Sequence, residues 1–361
     1  MCSLFPSSII AAGLIAALVP APFLVEPAAV EPTTVTENGL STAQSTAAGP
    51  ERSEFQTMLL KYAARCALRS DQSLAAPPDA SGHVEQLPGA LGLAPEWRDG
   101  SCDRSCQEKV SSCLIALINR TGKHVQLSLV STAPALPALS PGDSDLPFPH
   151  QEGAFFGNVF TGEAYACRGR DVEKAAQVKR FCALEPASCT GLAEFADAGR
   201  CEDACEMRCS RLSDGSERCA ATSCKDPQGR RWSAPITTYL RNRIEAGNAD
   251  QLDGTRAAKD EAFEPSAKLG AARFERVDFG RAGSDVHTFA ARLAAPRAGA
   301  RIEVWLKDGK RLGVLDVKRT GDGEQEQTAA IDARGVSGTH DVVLKLFDAT
   351  KIGRVSTIEF R

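Results

Sequence analysis

The stretch Phe289 to Val317, FAARLAAPRAGARIEVWLKDGKRLGVLDV, decides the fold of the last third of the chain. Three apolar runs are joined there by Pro296-Arg297-Ala298-Gly299 and by Asp308-Gly309-Lys310. In the second run Ile302, Val304 and Leu306 alternate with Arg301, Glu303, Trp305 and Lys307, a period of two that dries one face and wets the other. Asp308-Gly309 marks a hairpin, because the turn needs positive φ and glycine adopts it at little cost. Outward from this stretch the pattern predicts strands at Gln327 to Ile331, at His340 to Phe347 with His340, Val342, Leu344 and Leu346 on one side, and at Val355 to Phe360. Short strands at this spacing, with little helical periodicity between them, predict an antiparallel β-sandwich from about Thr238 to Arg361.

The 361 residues, 43% hydrophobic and 24% charged, have room for two domains and a tail. A formal charge of −4 offers no basic footprint, which sets nucleic acid aside as a partner. Of thirteen cysteines, Cys2 lies in the leader, twelve lie between Cys66 and Cys224, and none follows, an even count that suits an oxidising compartment. Leu4 to Val25 carries no charge and Ile9 to Val19 has the length of a signal-peptide core, so residues 1–25 read as a signal peptide. An uncleaved anchor is the alternative, since 22 uncharged residues can span a bilayer, although Pro20 and Pro22 interrupt the helix. The expected location is secreted, periplasmic or cell-surface, with membrane contact only through this segment. Residues 26–52, rich in Ala, Thr, Glu, Pro and Ser, read as a flexible linker.

From residue 53 the pattern turns helical: Phe55, Met58, Leu59, Tyr62, Ala63 and Cys66 share one face. A loop is expected at Gly89 to Trp97, a second helix over Ser101 to Asn119, a strand within Lys123 to Ser131, and a loop over Pro134 to Pro149. A third helix would carry Cys201, Cys205 and Cys209 on one face, with Glu202, Asp203, Glu206 and Arg208 on its solvated side. The sum is an α-rich, disulfide-stapled domain over residues 53–235. All twelve of its cysteines, Cys66, Cys102, Cys106, Cys113, Cys167, Cys182, Cys189, Cys201, Cys205, Cys209, Cys219 and Cys224, are expected in disulfides. Cysteines one helical turn apart sit about 5 to 6 Å apart at Cβ, too far for a bridge, so each is expected to bond outside its own helix. Connectivity stays open. The spacing matches neither a zinc ribbon nor a haem motif, so no metal is expected. His150 and Glu152 sit beside two aromatics in QEGAFFGNVF, where a structural contact is the expectation over acid–base chemistry. No nucleophile elbow, phosphate loop, zinc-protease motif or dinucleotide fingerprint occurs, and no catalytic residue is assigned.

The C-terminal third resembles the family 6 carbohydrate-binding modules, jelly-roll domains of the galactose-binding-like type. The match runs through Arg243-Ile244-Glu245-Ala246, Val277-Asp278-Phe279-Gly280, Phe289 to Ala294, Arg301-Ile302-Glu303-Val304, Leu315-Asp316-Val317 with Thr320-Gly321, and Val336 to Val342. The resemblance implies non-catalytic binding of a polysaccharide or glycan. The family's sugar clamp, a Tyr, a Trp and an Asn, falls at Arg276, Glu324 and Arg354, none of which keeps its type. The usual carboxylates of the family's structural calcium fall at Gly247 and Ser356, which puts that ion in doubt, and no other cofactor is expected. Trp305 is the one Trp of the sandwich and points to the outer face by alternation. Two expectations follow for it: packing against the first domain or a covering loop, or service as an exposed sugar platform. The alternative function is a sandwich that has lost sugar binding and serves as a protein-interaction or cell-surface module. Upstream, Gly89 to Trp97 with Phe155 to Phe160 and the cysteine spacing resemble uncharacterised secreted cysteine-rich bacterial proteins, which implies export and no activity. With no Gly/Ser linker, Ile236 to Leu240 is expected to lead straight into the sandwich and the two domains to pack as a unit.

Overall fold

The computed structural model describes residues 33–35, 40–41, 54–76, 82–98, 102–119, 125–132, 148–189, 194–211, 217–241, 243–259, 261–280 and 286–361. The leader at 1–25 and most of the 134–149 loop lie outside them. Within the expected linker, Thr33–Val35 pairs with Leu127 to Leu129, and Leu40–Ser41 pairs with Ile118–Asn119, so these two stretches are strands rather than tether. No described helix is long and apolar enough to cross a membrane.

The cysteine-rich unit is built on a sheet, not on helices. Its six strands run in the order Thr33–Val35, Leu127–Val130, Ile236–Leu240, His150–Asn158, Glu163–Arg168, Glu194–Arg200. Neighbours are antiparallel except the last pair, which is parallel. Leu127, Leu129, Phe155, Ala164, Ala166, Ile236 and Leu240 face one core with the helices Glu54–Ala67 and Arg104–Leu117. Ala154, Phe156, Tyr165 and Cys167 face another with Cys201, Cys205, Cys224 and Trp232. The latter group sits on or beside a small sheet of Cys205–Arg211, Glu217–Lys225 and Arg231–Trp232. The strand His150–Asn158 is therefore dry on both faces, buried from Gln151 onward. That double burial is why QEGAFFGN shows no alternation.

The α-rich expectation fails most clearly at Cys201 to Arg211, which is one helical turn, Cys201–Ala204, followed by a strand. A spacing of four residues is in phase with a strand's period of two as well as with a helix. Cys205 and Cys209 thus share a face of the strand, opposite Cys224 and Cys219, and each bonds its cross-strand partner. The bridge Cys102–Cys106 also departs from the expectation that cysteines four apart bond elsewhere. Here the helix starts only at Arg104, capped by Asp103, whose carboxylate accepts from the Cys106 amide at 2.9 Å. Cys102 precedes the cap and is free of helical geometry. The remaining bridges are Cys66–Cys113 between the two helices, Cys167–Cys201, and Cys182–Cys189 within one loop. The Cys167 and Cys205 sulfurs lie 3.6 Å apart, each already covalently committed.

The sandwich begins later than Thr238. Ile236–Leu240 pairs with Leu127–Val130 on one side and with His150 to Phe155 on the other, inside the first sheet, and Arg243–Glu245 is the first strand of the sandwich. One sandwich sheet runs Thr255–Ala257, Phe263–Pro265, Arg354–Phe360, Thr288–Ala294, Gln325–Ala330, with Arg243–Glu245 also on Arg354–Phe360. The other runs Gln251–Asp253, Leu269–Asp278, Thr339–Phe347, Ala300–Leu306, Arg311–Val317. All their pairs are antiparallel, and Phe263, Phe274, Phe289, Ile302, Val304, Leu344 and Val355 fill the space between them. Gly309 takes φ 99° in the expected hairpin turn. At Gly313 a Cβ would stand 2.6 Å from Ile331 Cγ2, so glycine lets the two sheets meet at that edge.

The two units meet through the loop after Glu163–Arg168. Lys174 Nζ reaches Asp278 Oδ2 at 2.7 Å, and Lys179 Nζ reaches Asp250 Oδ2 at 2.7 Å and the Glu275 carbonyl at 3.1 Å. Arg276 stacks over Phe181 at 5.6 Å and approaches Glu185 at 3.5 Å. Lys179 and Arg276 both hold positive φ, 62° and 60°, a conformation costly for side chains of this size and retained here where the two units interlock.

Candidate functional site

The positions aligned with the family's clamp do not converge. Arg354 Nε meets Glu324 Oε1 at 3.1 Å, Arg292 Nε meets Glu324 Oε2 at 3.3 Å, and the Arg354 guanidinium donates to the Lys259 carbonyl at 2.6 Å. Arg276 lies at the opposite end of the sandwich: its neighbour Val277 pairs with His340, near the start of the strand Thr339–Phe347, whereas Arg354 follows the turn beyond Phe347. A bulge between Phe274 and Val277 shifts the register at Arg276, which belongs to the seam with the first unit. What remains at the clamp end is an ion-pair mesh with no aromatic in it.

The calcium positions do not suit the ion. A side chain at residue 247 would run into the Glu261 backbone, at 2.6 Å from its carbonyl carbon, and the Ser356 hydroxyl donates to the Arg292 carbonyl at 3.1 Å. Burial pushes the nearby Glu245 carboxyl up to about 7, against the pull of Arg243 and Arg241.

Trp305 stands on the outer face of the sheet, partly exposed, where cross-strand pairing sets Val343 and Arg311 beside it. Its ring N–H donates to Glu303 Oε2 at 3.0 Å. Lys345 Nζ stands 4.1 Å from the ring centroid and the Arg311 guanidinium 6.0 Å. Glu303 Oε1 draws Arg301 at 3.3 Å and Arg311 at 3.9 Å, and Arg301 stacks on Phe347 at 4.6 Å. The ring is thus roofed by a cation, an arrangement intermediate between the two expectations for it. Alternation along its own strand places Arg301 on this face, whereas Lys345 and Arg311 come from neighbouring strands. The alternation that turns Val342, Leu344 and Leu346 inward turns Val343, Lys345 and Phe347 outward, onto the face of Trp305, once the two strands are known to be neighbours.

In the first unit Glu152 accepts from Arg180 Nε at 2.8 Å and from Thr238 Oγ1 at 2.8 Å, with both ionic side chains fully buried. This pair is structural. A cleft of about 440 Å³ between the first helix and Gln86–Pro88 contains the ion pair Lys61–Glu85 beside Met58, Tyr62, Arg65 and Leu87, and its lining holds no Ser, Cys or His to act with a base.

The chain is therefore a disulfide-bonded mixed sheet unit joined to an antiparallel β-sandwich. No protein-family profile and no curated protein matches it. Similar solved structures include a family 6 carbohydrate-binding module from Clostridium cellulolyticum in complex with xylose, at 24% identity and TM-score 0.30, covering 33% of this chain and 95% of that one. Another is a β-1,3-glucan binding module of the same family from Bacillus halodurans, at 26% identity and TM-score 0.29, covering 33% and 94%. A glycoside hydrolase family 43 arabinoxylan arabinofuranohydrolase from Bacillus subtilis overlaps 65% of this chain and 51% of its own, at 16% identity and TM-score 0.26. Overlaps at these scores do not define a ligand, and the sandwich is defined by its own strand order and core.

Proposed function

We propose that the chain is an exported, non-catalytic polysaccharide- or glycan-binding protein, and that the glycan rests on the outer sheet face at Trp305. The observation that carries this reading is an indole, partly exposed, on the outer sheet face among solvent-facing cations. Sugar rings present an apolar C–H face that stacks on such a ring, worth about 0.5 to 1.5 kcal/mol beyond area burial if aromatic pairing is the guide. The clamp end, with Glu324, Arg354 and Arg292 bound to one another, offers no such surface. Export is supported by the uncharged Leu4 to Val25 segment and by the disulfides. Retention of the mature full-length chain in gels or on resins carrying a panel of soluble and insoluble polysaccharides tests the reading. Trp305→Ala is expected to abolish retention while costing only about 1.5 kcal/mol of stability, as for a half-buried aromatic. Retention at full strength in the variant overturns the placement.

The second reading is a protein-interaction or cell-surface module. The ion-pair mesh at the clamp end favours it, since Glu324 there stands where a sugar would need the Trp, and Arg354, at the Asn position, is bound to it. Failure of the chain to be retained on any polysaccharide would leave this reading standing.

A further inference from the structure

Resting on the glycan-binding reading, we infer that the ligand of the Trp305 face is a polyuronate, a polysaccharide whose sugar rings carry carboxylates. The exposed Lys345 ammonium sits directly over the indole, 4.1 Å from its centroid, and no described carboxylate lies within ion-pair distance of it. The other charges near the ring are mutually engaged: Glu303 takes the ring N–H, Arg301 and Arg311, while Asp316 stands across from Arg301 in the next strand. Lys345 stands directly across from Glu303 in the paired strand, yet its ammonium rests over the π-face of Trp305 while Glu303 is held by the ring N–H and the two arginines.

A neutral sugar can reach that face only by displacing Lys345, exchanging one ring contact for another of similar size and gaining little. A uronate changes the balance. Its carboxylate is bonded directly to a ring carbon, so when the pyranose stacks on Trp305 the anion lies at the rim of the stack. Lys345 then moves from the ring to the carboxylate and exchanges a weak partner for a strong one, with Arg311 alongside. A sulfate ester, held away from the ring by its linking oxygen, does not couple stacking to charge in this way.

The full-length chain is titrated with polygalacturonate, with the same polymer methyl-esterified, with a sulfated galactan and with a neutral galactan, at low and high salt. Polygalacturonate is expected to bind in a salt-sensitive way and to lose most of its affinity on esterification. Lys345→Gln should weaken it about threefold to fivefold, the size of one surface ion pair, and should leave thermal stability unreduced. Equal binding of the esterified or the sulfated polymer, or no change in Lys345→Gln, overturns the inference. Trp305-dependent binding of neutral galactan without polygalacturonate binding overturns it while sparing the glycan-binding reading. Binding of none of the four, and of no other polysaccharide, overturns both.

Discussion

Arg180 and Glu152 meet with both side chains out of water, and further hydrogen bonds tie them to Thr238 and to the Ala116 and Ile118 carbonyls at the end of the second helix. Removing one partner strands the other charge in a dry interior, a larger loss than the pair's own net worth. Glu152→Ala should therefore destabilise the protein by about 3 to 5 kcal/mol in denaturant titration, and a loss under about 1 kcal/mol would show that water reaches the site. Glu245 makes the opposite kind of demand. Its folded carboxyl titrates near 7 against an ordinary 4.5 because burial penalises the charged form. The unfolded chain therefore ionises first as pH rises. The stability tied to Glu245 is complete below about pH 4.5 and is lost as pH climbs through about 7, by an amount on the order of 3 kcal/mol. Thermal melts in EDTA between these values should show a decline that flattens in Glu245→Gln, and an identical slope in the variant would count against this assignment.

At the scale of elements, the hairpin Cys205–Arg211 with Glu217–Lys225 is held by two bridges between directly opposed residues, Cys205 with Cys224 and Cys209 with Cys219. Much of its outer strand is exposed, at Glu206, Arg208, Cys209 and Arg211, so covalent closure takes the place of burial there. Replacing Cys209 and Cys219 together by Ser is expected to cost about 2 to 4 kcal/mol, with amide exchange rising first in this hairpin. Unchanged exchange there would mean that the small sheet is held by its core, Trp232 and Ala221, instead. The same stretch marks the limit of sequence reading at this scale. Spacings of four do not separate helix from strand, and what settles Cys205–Arg211 as a strand is a partner strand that begins at Glu217. By contrast Arg301 to Lys307 needed no such help, since its strict alternation excludes a helix.

The whole molecule is two units joined along a seam, and the chain crosses between them just after Leu240. Thr238 and Tyr239 are buried in the first sheet, where the Tyr239 hydroxyl donates to the Cys219 carbonyl at 2.8 Å and Thr238 holds Glu152. A fragment starting at residue 243 should unfold cooperatively in reducing buffer, because the sandwich contains no cysteine and its core is drawn from its own two sheets. A piece ending at residue 237, by contrast, lacks three of the five residues of a central strand and should fail to fold even under oxidising conditions. Circular dichroism and thermal melts of the two pieces check this, and a folded 1–237 piece would show that the Ile236–Leu240 strand is dispensable.

The last third of this chain was legible from its residues because a half-buried strand writes its two faces into a period of two, and turns such as Asp308-Gly309 mark where it reverses. The cysteine census and the outward direction of Trp305 were legible for similar reasons: each is local or compositional. Tertiary structure alone decided that Ile236 to Leu240 serves the first sheet, that Cys102 bonds Cys106, that Arg276 stands apart from Glu324 and Arg354, and that Lys345 roofs Trp305. These follow from which segments come to lie side by side, often across tens of residues. That adjacency is set by how the two units pack, which no local pattern of residue types encodes.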